Sequence, residues 1–502
     1  MNTYTLSGGI ALLGVNARQS DGPVDIVIEG DLIKSIKASG EAEPEGEIID
    51  ARNRLVTPGL INGHVHSHEN YHKAFFDDNL PLELWMNYTR PLKPIEFTPR
   101  QVYLRTMIAA IEALRTGATT LNDDFNVSPV LHREHVEAGF QAYEDIGIRA
   151  NLGMTLFDKP FFRAVPFVDE EFPSDLLTAL DAAKSTPPDE VLKYLRVLAK
   201  DRNPADHRVS CLVAPSAPQR CTDPFLKEVR NIADEFDLPL IIHVQETRMQ
   251  VVTGQLEHGM TLIEHLDKIG FLRDKTQIVH GIWLNPREID ILARAGTTVQ
   301  HNPTVNLIVG SGLMPYRALL DGGVNVSLGS DGCGSIESCD LHKAMLTGAL
   351  LQKLRGYDYK RWVGAKEVYS AATIGAAKGL GRGDELGAIE VGRKADLTAY
   401  NMRGITFTPS NNLLRQLVYA ETGSNLDFVI VDGQIVMRDG VLTRIDEMAL
   451  IDEIKAEHEK LLPQMIASKK EVESMREPME RIYMRCQQID IAEDTHPARL
   501  PS

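Results

Sequence analysis

The feature that most constrains this chain is a repeated rule of punctuation: a short apolar run that ends in a histidine or an aspartate. Leu60-Ile61 leads into His64-Val65-His66, and Leu240-Ile-Ile242 ends at His243. Gln277-Ile-Val279 ends at His280, and Thr298-Val-Gln300 ends at His301. Val324 to Leu328 runs through Gly329-Ser330 to Asp331. A satisfied core histidine explains any one of these. It does not explain a polar group at every strand end when the strand interiors stay apolar. Alternate side chains share a face of a strand, so His64 and His66 point the same way. Groups at the carboxyl ends of successive parallel strands converge on one pocket, the place where barrel enzymes build their sites.

Eight runs read as strands in this middle region. Besides the five above they are Thr119-Thr-Leu121, Ala150 to Met154 and Val209 to Val213. Helical patterns separate most of them: Tyr103 to Leu114, Asp223 to Asp237, Pro286 to Ala295 and Pro315 to Leu320. Eight strand-then-helix units predict an α/β fold, a (β/α)₈ TIM barrel. Both chain ends carry hairpin grammar instead. Asp25 to Glu29 and Leu32 to Ile36 flank Gly30-Asp31, while Asp427 to Val431 and Gln434 to Met437 flank Asp432-Gly433. The predicted organisation is a small β-sandwich from residues 1–57 plus 384–445, with the barrel, 58–383, inserted in it. Residues 446–502 form a helical extension in which Pro463 and Pro478 are expected to kink or interrupt the helix, and the last dozen residues read as disordered. The Phe- and Pro-rich stretch from Asp158 to Glu190 breaks the barrel rhythm. It reads either as a lid over the barrel mouth or as a surface excursion with its own small core.

Composition narrows the partners. The formal charge is −17, which disfavours nucleic acid as a partner. The longest apolar run falls short of the ~20 residues of a membrane span. Five scattered cysteines form no disulfide framework, and no signal-peptide pattern opens the sequence, so a cytoplasmic location is expected. The expected partners are a small-molecule substrate and further copies of the same chain, as a homo-oligomer.

Imidazole and carboxylate ligands suit one divalent cation per chain, zinc first and iron second. Such an ion lowers the pKa of a bound water toward ~7. Glu246 follows His243 by three residues, close enough to exchange a proton with that water, although a solvated glutamate reads the same way in sequence. The fourth strand offers no bridging lysine or glutamate, which favours one metal over two.

Several motifs in order resemble the amidohydrolase superfamily, in the branch of cytosine deaminase, S-adenosylhomocysteine/methylthioadenosine deaminase and the triazine chlorohydrolases. They are Thr57-Pro-Gly-Leu-Ile-Asn-Gly-His-Val-His66, His243-Val-Gln-Glu246, Val279-His280-Gly281, His301-Asn-Pro-Thr-Val-Asn-Leu307, Leu328-Gly-Ser-Asp-Gly332 and Glu385 to Asp396. The resemblance implies metal ligation by His64, His66, His243 and Asp331. It implies that Glu246 shuttles protons while His280 and Asp331 orient and activate the water, and that His301 sits near substrate or supports the site. Trp85, Ser216 and Cys333 are further candidates for touching substrate, and His68 and His72 for the pocket wall. Two departures set the chain apart from the nucleoside deaminases of that branch. Ser216 stands where they carry a histidine after the fourth strand, and Lys93 where they carry a ribose-binding glutamate. Lysine accepts no hydrogen bond from a hydroxyl. The expected reaction is therefore cleavage of a C–N bond in a non-nucleoside heterocycle or a urea- or amidine-like compound. Two alternatives remain: loss of a halide, thiol or amine from a xenobiotic, and a non-catalytic barrel that serves as an assembly protein.

Overall fold

A computed structural model describes residues 3–91 and 93–499. Each of the eight apolar runs is a strand: Leu60–Val65, Ala118–Phe125, Arg149–Leu156, Val209–Cys211, Leu240–Val244, Thr276–His280, Thr298–His301 and Asn325–Leu328. They pair in parallel and in chain order, strands one to four and strands five to eight. A parallel bridge between Val213 and Leu240 joins the two halves. The backbone N–H of Asp331 donates to the His64 carbonyl at 2.9 Å and ties the end of strand eight to strand one. These two contacts close the ring.

The two chain ends meet in an antiparallel pair. Strand Leu397–Asn401 lies against Arg54–Pro58, and a ten-stranded sheet extends from that junction to both sides, eight strands in one path and two pairing beside it. Its core includes Tyr4, Leu6, Ile28, Val56, Leu397 and Ile430. Arg149, at the start of the third barrel strand, is the polar bolt between barrel and end sheet. Its guanidinium pairs with Asp396 at 2.8 Å and with Asp432 at 2.7 Å, and its side chain is only 2% exposed.

The stretch from Asp158 onward forms short helices, Phe161–Ala164, Val168–Glu171 and Ser174–Asp181. Phe162, Val168, Phe172 and Leu177 share one apolar cluster with Met475, Met479 and Ile482 of the extension and with Trp85 and Tyr88. Phe161, Ala164 and Val165 of this stretch line the barrel mouth, and the C-terminal helices complete its apolar core.

The extension departs from its sequence reading in two ways. Pro463 does not interrupt helix Glu447–Val472. The break comes at Glu473–Met475, and Pro478 stands in the first turn of helix Arg476–Gln488, where its missing N–H has no helical partner to lose. The last dozen residues, expected to be disordered, are docked on the barrel as far as they are described. The Leu313 N–H donates to the Ala498 carbonyl at 2.7 Å, and the His496 N–H to the Leu284 carbonyl at 2.8 Å. Residues 500–502 of that stretch lie outside the described residues. Among the described residues, no helix is long and apolar enough to cross a membrane.

Candidate metal centre and active site

Three ring nitrogens meet at the mouth of the barrel. His64 Nε2 lies 3.2 Å from His66 Nε2 and 3.2 Å from His243 Nε2. Asp331 Oδ1 is 3.6 Å from His64 Nε2 and 3.5 Å from His66 Nε2. The second nitrogen of two of these rings is already engaged. His66 Nδ1 donates to the Asp124 carbonyl at 2.9 Å, and His243 Nδ1 to the Ser216 carbonyl at 2.8 Å. A carbonyl only accepts, so both protons sit on Nδ1 and both Nε2 lone pairs point at the shared centre. Carbonyl or carboxylate partners of this kind fix metal-ligating histidines. Lone pairs converging at such distances repel unless a cation lies among them, so the donor set fits a divalent ion.

Electrostatics agree. Burial and the neighbouring imidazoles hold His64 well below the usual histidine range, and burial holds His243 at about 4, so both are neutral ligands at pH 7. His66 is different: burial opposes its charge, but Asp331, Asp124 and Glu69 outweigh burial and lift it to about 9. The anionic surround that stabilises a proton there also stabilises a metal cation.

Beside this cluster lies a second set of groups. His280 Nε2 is 3.3 Å from Glu246 Oε2 and 3.7 Å from Asp331 Oδ2. Asn306 Nδ2 donates to His280 Nδ1 at 2.9 Å, which leaves the proton on Nε2, facing the two carboxylates. Burial, then the charges of Asp331 and Glu83, push the Glu246 carboxyl well above its usual range. A carboxyl poised to hold a proton next to a donor imidazole has the chemistry of an acid–base pair.

The backbone is bent to make this arrangement. Gln245, His280 and Asp331 have φ of 56°, 76° and 70°, left-handed values that cost non-glycine residues about 1–3 kcal/mol each. All three stand just past or at the end of a barrel strand and turn their neighbours into the mouth. Glycines give the room. A Cβ at Gly329 would come within 2.9 Å of the His64 nitrogen, and one at Gly332 within 2.0 Å of Glu69 Oε2.

A pocket with an open mouth lies above the cluster. Of the substrate-contact candidates, Trp85 and Ser216 line it, as do His66, His243, Glu246, His280, Asp331 and His68. Trp85 is held by its Nε1–H, which donates to the Gly334 carbonyl at 3.3 Å. His301 and Cys333 do not reach the pocket. Gln300 points into the barrel, where its Nε2 donates to Gln277 Oε1 at 2.8 Å, so the alternation of the strand turns His301 outward. There its ring packs 5.6 Å from Tyr316 and is 1% exposed. Cys333 turns away behind the wall, its Sγ 3.2 Å from Cys339 Sγ. His72 stacks on Phe76 at 5.3 Å, outside the lining, and Lys93 is exposed and decides nothing about the substrate.

Sequence reasoning missed Asp124, Glu69, Glu83, Arg90, Arg220 and Met479, all of which line the pocket. Asp124 was within reach, because the second strand runs on through Asn122-Asp-Asp124 to Phe125 and obeys the same polar-end rule. The others sit on loops and on the extension, where no periodicity marks them.

Comparison with known proteins agrees with this geometry. Residues 55–436 match the model of the amidohydrolase family. The chain is 32% identical over 427 residues to a 5'-deoxyadenosine deaminase of Methanothermobacter thermautotrophicus, covering 85% of this chain and 92% of that one. It is 32% identical to a 5-methylthioadenosine/S-adenosylhomocysteine deaminase of Pyrococcus furiosus, covering 85% and 94%. In structure it is similar to an adenosine deaminase from Xanthomonas campestris with bound zinc, at a TM-score of 0.81, 26% identity and 91% and 98% coverage. It also shares its fold with an atrazine chlorohydrolase of Arthrobacter aurescens, at a TM-score of 0.80, 22% identity and 90% and 99% coverage. With a closed parallel barrel, a sheet built from both chain ends and a histidine–aspartate centre at the carboxyl ends of the strands, the chain belongs to the amidohydrolase family, as a metal-dependent hydrolase of C–N bonds.

Proposed function

We propose that the protein removes an amino group from a small aminated heterocycle by hydrolysis. The observation that carries this is the contact of Glu246 with His280 at 3.3 Å, set against the three-histidine cluster. Displacing an amine requires a proton on the departing nitrogen, and Glu246 is the buried carboxyl placed to deliver it. Chloride departs without one, so only the amine uses the carboxyl at the leaving step.

In this reading His64, His66, His243 and Asp331 would hold one zinc ion per chain, which would supply Lewis acidity to a bound water. Glu246 takes a proton from the attacking water and returns it to the leaving nitrogen. The His280 Nε2–H faces the reacting centre and stabilises negative charge that develops on oxygen. Asp331 Oδ2, 3.7 Å from His280 Nε2, orients the water between them. The apolar walls formed by Leu82, Trp85, Phe161 and Met479 exclude bulk solvent and stack on a planar ring.

The deaminases named above act, by their names, on adenosine or its derivatives. Ser216 in the wall supports a substrate other than theirs, because a serine replaces the aromatic donor that the branch uses there. The reading also places the enzyme in the cytoplasm as an assembly of copies. The stretch bearing exposed Leu350, Leu354, Tyr357, Tyr359 and Trp362 supports the assembly, which light scattering on the purified protein measures. The test of the reaction is ammonia release by zinc-loaded enzyme over a panel of aminated purines, pyrimidines, pterins and triazines, with chloro-substituted rings alongside. Turnover of the chloro compounds with none of the amino compounds would overturn the reading.

A further inference from the structure

Arg149, Arg230 and Arg393 are buried against carboxylate partners, while Arg105, outside the pocket lining, is buried against the rings of Phe97 and Phe125. Arg149 has two carboxylates, at 2.8 and 2.7 Å. Arg220 does not. It is 5% exposed and lines the pocket, yet among the described residues no carboxylate pairs with it. Its Nη1 donates to Ser216 Oγ at 3.3 Å, and its Nε, fully buried, has no partner. Aromatic faces hold it instead: the guanidinium centre lies 3.9 Å from the ring centroid of Phe157 and 5.8 Å from that of Phe161.

A second guanidinium shares that corner. Arg90 also lines the pocket, 5.7 Å from the same Phe161 ring. Its Nη1 donates only to Thr89, to the carbonyl at 3.0 Å and to Oγ1 at 2.9 Å. Glu69 and Asp124 act on it through space without reaching ion-pair distance. The two like charges oppose each other: burial, with Arg90 adding to it, pulls Arg220 down to about 9. Two cations flanking one ring in a water-poor pocket are costly unless an anion completes them. Arginine presents a planar fork of donors that matches carboxylate and phosphate oxygens.

We propose that Arg90 and Arg220 form an oxyanion subsite, so that the substrate is an aminated heterocycle bearing a carboxylate or a phosphate on a second substituent. The inference rests on the proposed aminohydrolase reading for the amino group, but the anion subsite is tested separately. The probes are rings with no amino group, so that binding is read without turnover. Purin-9-ylacetate is compared with purin-9-ylacetamide, and 2-(purin-9-yl)ethyl phosphate with 2-(purin-9-yl)ethanol, by calorimetry on the zinc-loaded full chain. At least one anionic probe is expected to bind about tenfold or more tightly than its neutral partner, as charge-assisted hydrogen bonds do. The pair with the larger ratio identifies carboxylate or phosphate.

The preference is expected to fall to less than about twofold in Arg220→Gln and in Arg90→Gln, and to return in part in Arg220→Lys, which keeps the charge without the fork. If Arg220→Gln fails to fold, Arg90→Gln on the looser guanidinium carries the test alone. Equal binding of anionic and neutral probes to the wild type overturns the subsite, and so does a preference that survives in both variants. Neither result touches the amine chemistry, which the ammonia panel decides.

Discussion

Removing Asp396 should uncouple the barrel from the end sheet. Asp396 accepts from Arg149 Nε at 2.8 Å and Nη2 at 3.1 Å, and from the Asp432 backbone N–H at 2.6 Å. Arg149 is buried, so Asp396→Ala leaves a guanidinium with one carboxylate where it had two. Breaking a buried pair from one side costs about 3–5 kcal/mol. Unfolding entropy of about 2.1 cal/mol/K per residue gives roughly 1 kcal/mol/K for a 502-residue chain that melts as one unit. The expected fall in Tm is therefore about 3–5 °C, read by calorimetry on the metal-loaded protein. A double variant, Arg149→Met with Asp396→Leu, removes both charges and should recover most of that loss, because paired apolar groups of similar size replace a buried ion pair at little net cost. The reasoning fails if Asp396→Ala melts within a degree of the wild type. It fails equally if the double variant loses as much as the two single variants together, since the groups would then act independently.

Other consequences are as concrete. Glu246→Gln should lower kcat by about 10²–10⁴ with unchanged metal content, and full turnover would remove the proton shuttle from the mechanism. His243→Ala should purify with little zinc and show lower Tm; chelation of the wild type should do the same, reversed by adding the ion back, and equal metal content in the two proteins would exclude His243 as a ligand. Glu288 is buried beneath Gln245, and burial lifts its carboxyl to about 7. The folded state then binds more protons than the unfolded one between pH 4.5 and 7, so stability declines as pH rises through that window, by about 3 kcal/mol from this group. Glu288→Gln should flatten that part of the Tm–pH profile, and an unchanged slope would assign the decline to other groups.

The fold was largely legible because barrel strands obey a one-dimensional rule. Each is an apolar run, each is followed by its helix, and the polar residue at its end marks the functional face. Leu240 to His243 and Gln277 to His280 announce both the strand and the site. The same rule misled at His301, because a period of two puts consecutive residues on opposite faces, and the sequence does not say whether Gln300 or His301 looks inward. Packing decides it: Gln300 finds Gln277 inside, while His301 finds Tyr316 outside. Cys333 failed for a related reason, since two residues past Asp331 the chain has already turned into the wall against Cys339. Arg90, Arg220 and Glu83 were invisible because pocket walls are made of loops, whose side-chain directions follow from tertiary contacts rather than from any period.

The docked extension divides the pocket between two parts of the chain. The last barrel strand, Asn325–Leu328, completes the ring of ligands, and Val441–Leu442 completes the end sheet. The wall of the pocket takes Met479 from the extension, and the backbone at Leu313 takes the Ala498 carbonyl. The floor of the pocket therefore belongs to the barrel, and part of its rim to the extension. Substitutions on the face of the extension that bears Met479 can then alter what enters the pocket without touching the groups at its floor.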